Sequence, residues 1–132
     1  MTYIADRRGA DIRAMAVIAG VTDLFQSYNE RGETMKKILR STVGGTPDEI
    51  PDEYRKRSGV YWPHEIRSPV IIFHGREDKS VMYEQGVRMA EGLDMNGKEY
   101  KFISYDDTGH NMGNNKENVN ELIFEWFEKY IK

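Results

Sequence analysis

The segment Pro69-Val70-Ile71-Ile72-Phe73-His74-Gly75 limits the fold more than any other, because a β-branched run bounded by proline and glycine is a strand with defined ends. Arg13 to Gly20 is a continuous apolar run closed by glycine, which reads as a buried parallel strand rather than a half-exposed one. Tyr100 to Tyr105 is a third strand. Tyr83, Val87, Ala90 and Leu93 recur at helical spacing until Asn96-Gly97 turns the chain. Val119, Leu122, Ile123, Trp126, Phe127, Tyr130 and Ile131 keep the i, i+3, i+4, i+7 rhythm of a final helix, with Asn114 and Glu117 as its cap. Strands alternating with helices imply an α/β chain: a parallel sheet, near residues 14–19, 70–74 and 100–105, flanked by helices through right-handed crossovers. The last helix, about 115–131, is expected to cross one face and bury Leu122, Trp126 and Phe127.

The remaining segments carry helix punctuation. Residues 2–8 end in Arg7-Arg8 before Gly9, as a helix C-terminus does. Residues 21–58 are polar and helix-prone. There Thr46-Pro47-Asp48-Glu49 has the form of a capping box, with hydroxyl at N-cap, proline at N1 and glutamate at N3. Pro51-Asp52-Glu53 opens a further short helix ending Arg55-Lys56-Arg57, acids first and bases last, which complements the helix dipole.

At 132 residues the chain is one domain's worth of material. A net charge of −3, with no Lys/Arg block, gives no field to hold nucleic acid. There is no cysteine for a disulfide or a thiolate metal site, and His64, His74 and His110 are too scattered for a metal centre. The longest apolar run, Met15 to Val21, is far short of the about 20 residues that span a bilayer. The opening residues have no signal-peptide core, so the sequence as written is expected to be cytoplasmic, without a membrane partner.

Two tetrapeptides carry the chemistry. Gly75-Arg76-Glu77-Asp78 follows the second strand, and Asp107-Thr108-Gly109-His110 follows the third, 32 residues later. In open α/β sheets, working residues gather beyond the carboxyl ends of the strands. Asp78 and His110 are therefore expected to meet there, in the order acid then base. An aspartate accepting from imidazole Nδ1–H fixes the tautomer in which Nε2 takes a proton from a serine. Taken singly, an aspartate in a charged turn is a solvated loop residue and a histidine in a polar loop does nothing. Their shared order, spacing and strand-end context make the pair a candidate. Ser80 reads as a helix-start residue, since no sharp strand-to-helix elbow surrounds it. His74, beside Gly75, reads as packing or loop bonding, and His64 lacks a partner.

Set beside Ala16-Val17-Ile18-Ala19-Gly20-Val21-Thr22-Asp23-Leu24, Gly44-Gly45-Thr46-Pro47-Asp48-Glu49, Tyr54-Arg55-Lys56-Arg57-Ser58, the run from Ile66 to Val81 and Trp126-Phe127, these motifs resemble the C-terminal half of prolyl oligopeptidase-type serine peptidases. The similarity covers nearly the whole chain. It implies a partial α/β-hydrolase fold, a parallel sheet flanked by helices and lacking the N-terminal half, as one unit over 1–132. H-G-x-x-D-x-x-V places the family's triad acid on Asp78, and the G-H after the last strand places its histidine on His110. Met82 stands where the family usually has proline. Phe25 and Tyr28 fall where the resemblance implies a wall of the substrate pocket, against a prolyl or other apolar side chain.

No G-x-S-x-G elbow occurs in these residues, and Met1-Thr2-Tyr3 resembles the continuation of the helix that follows such an elbow. The expectation is a serine hydrolase fragment, without cofactor, whose nucleophile and oxyanion donors lie upstream of Met1 and which alone is inactive. Its substrate in the complete enzyme would be a peptide next to small or prolyl residues. A carboxylesterase shares the same acid and base, and a non-catalytic remnant serving as an interaction module is a further reading. A receiver-like domain is rejected, because the first strand ends Ala19-Gly20-Val21 rather than in acids. The edge of the strand at 14–19 would lack the neighbour it has in the complete fold, so a homodimer is expected through that edge or the apolar faces beside it.

Overall fold

The run after Pro69 forms the centre of the sheet. The computed structural model describes residues 1–131. Its elements are α1 (Thr2–Arg7), β1 (Met15–Ile18), α2 (Leu24–Glu30), α3 (Gly32–Val43), α4 (Pro51–Lys56), β2 (Val70–Gly75), α5 (Tyr83–Met95), β3 (Tyr100–Tyr105) and α6 (Lys116–Tyr130). The strand order is β1-β2-β3 and both pairings are parallel. Met15 stands opposite Val70 and Ile18 opposite Phe73, while Val70 faces Tyr100 and Gly75 faces Tyr105.

Every residue of β2 is buried, because helices cover both faces of the sheet. Val70 and Ile72 point into a core with Tyr3 of α1, Met15 of β1 and Met89 and Leu93 of α5. Ile71 and Phe73 point the other way, against Val119 and Trp126 of α6. Each such apolar side chain, fully buried, contributes about 1.5–3 kcal/mol. A third cluster, Leu39, Val43 and Tyr54 with Phe25 and Tyr28 packed against it, holds α2, α3 and α4 together. That excursion is anchored to α5 through Gln85, whose side-chain oxygen accepts from the backbone N–H of Thr22 and of Asp23, both at 3.0 Å. Its amide nitrogen donates to Ser27 Oγ at 3.0 Å.

Four details differ from the sequence reading. β1 is not fully buried: Met15 is, but Ile18 is 45% exposed, because β1 is an outer strand and no described element covers its end. Met15 and Ala19 donate to Pro69 and Phe73 of the β2 side at 2.8 Å, so by alternation the backbone groups of Ala16 and Ile18 face outward unpaired. Thr46 and Glu49 do exchange the two bonds of a capping box, at 3.1 and 3.2 Å, yet they close a single turn. The helix begins only at Pro51, since a residue before proline is driven out of the helical region and Ile50 sits at φ −136°. Before α6, Gly113–Asn115 form a 3₁₀ turn, and no side chain caps the helix. Asn115 instead donates to Thr108 Oγ1 at 2.9 Å. In α6 itself Trp126 is buried, whereas Leu122 and Phe127 are half-buried because the sheet beneath has three strands. No described helix is long and apolar enough to cross a membrane.

Candidate active site

The loops leaving β2 and β3 cross at the carboxyl edge of the sheet, backbone against backbone. Arg76 N–H donates to Tyr105 O and Glu77 N–H to Thr108 O, each at 3.0 Å. The approach requires glycine at position 75: a Cβ there would lie 2.2 Å from the Thr108 carbonyl oxygen. Asp107 turns the second loop with φ at +48°, and Thr108, buried under Asn115, donates its hydroxyl to Asp106 O. Gly109 and then His110 follow.

Asp78 has a side chain with no solvent exposure, and both its oxygens are occupied. Oδ1 accepts from the backbone N–H of Ser80 at 2.8 Å and of Val81 at 2.9 Å. Oδ2 lies 2.9 Å from His110 Nδ1. A carboxylate is an acceptor, so His110 donates through Nδ1–H and presents a bare Nε2. The His110 side chain is 43% exposed, so that nitrogen is open to a reactant. The dyad can therefore take a proton at Nε2 and steady the resulting imidazolium with a buried carboxylate.

A cavity of about 370 Å³ opens beside this histidine, lined by Ile18, His110, Asn111, Met112, Lys116, Val119 and Asn120. Phe25 and Tyr28 do not line it. Their rings pack on Tyr54 of α4, with centroids 5.5 and 6.1 Å away. Ser80 lies in the turn before α5, its N–H spent on Asp78, and His64 is exposed in a 3₁₀ turn. No group of acidic and histidine side chains among the described residues could hold a metal ion. Two further contacts hold the acid loop, and only the loop bonding of His74 was read from the sequence. Arg31, between α2 and α3, donates to Ser80 O, and His74 Nε2 lies 2.8 Å from Val81 O. An arginine 49 residues away carries no local signal of that contact. The alternation of β2 does carry a signal for His74, since it shares the α5 face with Val70 and Ile72.

The model of the Prolyl oligopeptidase family matches residues 1–132, the whole chain. Among curated proteins, the chain is 31% identical over 74 residues to the uncharacterized peptidase YtmA of Bacillus subtilis, covering 56% of this chain and 28% of YtmA. It is 25% identical over 120 residues to dipeptidyl-peptidase 5 of Porphyromonas endodontalis, 86% of this chain and 17% of that protein. Among solved structures, a puromycin-hydrolyzing peptidase of Mycobacterium tuberculosis superposes with TM-score 0.85 at 20% identity, over 96% of this chain and 19% of its own. Acylaminoacyl peptidase of Pyrococcus horikoshii superposes with TM-score 0.79 at 21% identity, over 94% and 21%. The chain thus spans less than a third of the relatives it matches, and its sheet is part of an α/β-hydrolase fold. With the whole sequence matched by one family model and the same fold found in solved peptidases, the chain belongs to the prolyl oligopeptidase family of serine peptidases.

Proposed function

We propose that this chain supplies the acid and base of a serine peptidase, Asp78 orienting His110 and steadying the imidazolium formed in the reaction, to a nucleophile serine carried by residues outside the 132. The observation that carries the reading is the 2.9 Å bond between His110 Nδ1 and a fully buried Asp78 Oδ2, with Nε2 left open at the strand ends. Attack by the serine on a peptide carbonyl would pass its proton to Nε2, and collapse of the intermediate would return it to the leaving amine. The relatives' names speak of dipeptidyl, acylaminoacyl and puromycin substrates, which share an amide next to a short N-terminal portion. An amide of that kind is the substrate class proposed here, with Phe25 and Tyr28 on the excursion that would wall the pocket. A carboxylesterase uses the same acid and base on an ester and is the second reading.

Two measurements test it. A fluorophosphonate probe should leave the 132-residue chain unlabelled, and prolyl or acyl-amino anilides should turn over no faster than in buffer. Without serine and oxyanion donors, a dyad can only move a proton. Stoichiometric labelling at Ser80 would overturn the assignment of the nucleophile. In a longer form that carries a nucleophile, Asp78→Asn should lower kcat by about ten-thousand-fold by forcing the wrong tautomer of His110. Unchanged turnover in that variant would end the assignment of the acid.

A further inference from the structure

His74 is buried, with 1% of its surface exposed, one residue before the end of β2, where it faces α5 rather than the solvent edge. Its ring touches the acid loop at two atoms. Nε2 lies 2.8 Å from Val81 O, and the same nitrogen lies 3.4 Å from Asp78 Oδ2, the oxygen that also bonds His110. A carbonyl only accepts, so the proton of His74 sits on Nε2. Nδ1 is then bare, buried and without a hydrogen-bond partner. It is pressed against Gly86 of α5, where even a methyl group would come within 2.6 Å of it. A buried polar atom left unpaired costs stability, so the ring is held here at a cost that plain packing would avoid by using an apolar residue.

We infer that His74 is the positioning residue of the dyad, and this rests on the reading of Asp78 and His110 as acid and base. Asp78 Oδ1 grips the N–H groups of Ser80 and Val81 from one side. His74 grips the Val81 carbonyl from the other, and Arg31 grips that of Ser80. With the turn clamped on both sides, the carboxylate cannot swing about its Cα, and Oδ2 stays aimed at His110.

The test exploits which imidazole nitrogen matters. The amide nitrogen of glutamine falls near Nε2, and that of asparagine falls near Nδ1. Proton NMR of the 132-residue chain reads the low-field Nδ1–H of His110, assigned by its disappearance in His110→Gln. The resonance should persist in His74→Gln and vanish in His74→Asn, with circular dichroism showing both folded. Gly86→Ala, which displaces the ring from behind without altering the acid loop, should weaken it too and serves where His74→Asn fails to fold. A folded His74→Asn or Gly86→Ala that keeps the resonance at full intensity would overturn the inference, as would equal loss in the glutamine and asparagine variants. A signal that survives Asp78→Asn points elsewhere: it would sink the acid and base reading itself.

Discussion

Tyr3 shows how a single buried atom sets a pH limit. Its hydroxyl is enclosed in the core under α5 and has no partner, and burial pushes its pKa well above the ordinary tyrosine value. A pKa raised on folding stabilises fully below the unfolded value of about 10 and loses that contribution as pH rises beyond it. Tyr54 and Tyr105 are raised in the same direction, again mainly by burial. The chain should therefore lose stability steeply above about pH 10 while holding it at neutral pH. Tyr3→Phe removes the orphaned hydroxyl and should stabilise by about 1 kcal/mol at pH 7, with a shallower alkaline decline. Urea titrations at neutral and alkaline pH measure both, and a less stable phenylalanine variant at pH 7 would mean that the hydroxyl is bonded after all.

Among elements, the junction of β2 with the loop after β3 leaves no room for a side chain at Gly75. Gly75→Ala would drive a methyl group into the Thr108 carbonyl, backbone that has no rotamer to yield. It should destabilise by at least about 1–3 kcal/mol and abolish the Nδ1–H signal of His110, as denaturation and NMR would show. Undisturbed stability would contradict the crossing of the two loops. Gln85→Leu should act at a distance, stranding the N–H groups of Thr22 and Asp23 and loosening α2 through α4 from α5, at a cost of about 1–3 kcal/mol for each stranded group. Element identity was legible in the sequence because apolar period and strand-end glycine are local properties: β2, β3, α5 and α6 lie where Val70, Tyr100, Tyr83 and Trp126 placed them. The approach of Asp78 to His110 was legible for the same reason, as they lie three residues past Gly75 and five past Tyr105, which pair at the ends of neighbouring parallel strands. Exposure of Ile18 was not, since burial belongs to what covers a strand and not to the strand. Nor were the partners of Gln85 and Arg31, whose bonds join residues 49–63 positions apart. The box at Thr46 misled because its two bonds are the same whether one turn or a helix follows; Pro51 decides which.

For the molecule as a whole, the outer edge of β1 is the feature expected to govern behaviour in solution. A polypeptide of these 132 residues leaves Ala16 and Ile18 unpaired along that edge, with Ile18 and Val21 more than 40% exposed beside it. Such an edge is satisfied by another chain when nothing else is offered. Sedimentation should give a mass above the monomer's 15.4 kDa that rises with concentration, and Ile18→Lys should return it to the monomer. A concentration-independent monomer without that substitution would rule out pairing at β1. The bonds that wire Asp78 to His110 have a different reach: apart from the one Arg31 makes to Ser80 O, they fall within the stretch from His74 to Asn115. A contiguous stretch of that length can be inherited in one piece. A recombination event with both breakpoints outside it transmits the relay whole, and new upstream sequence can be joined to it over many generations without breaking one of those bonds.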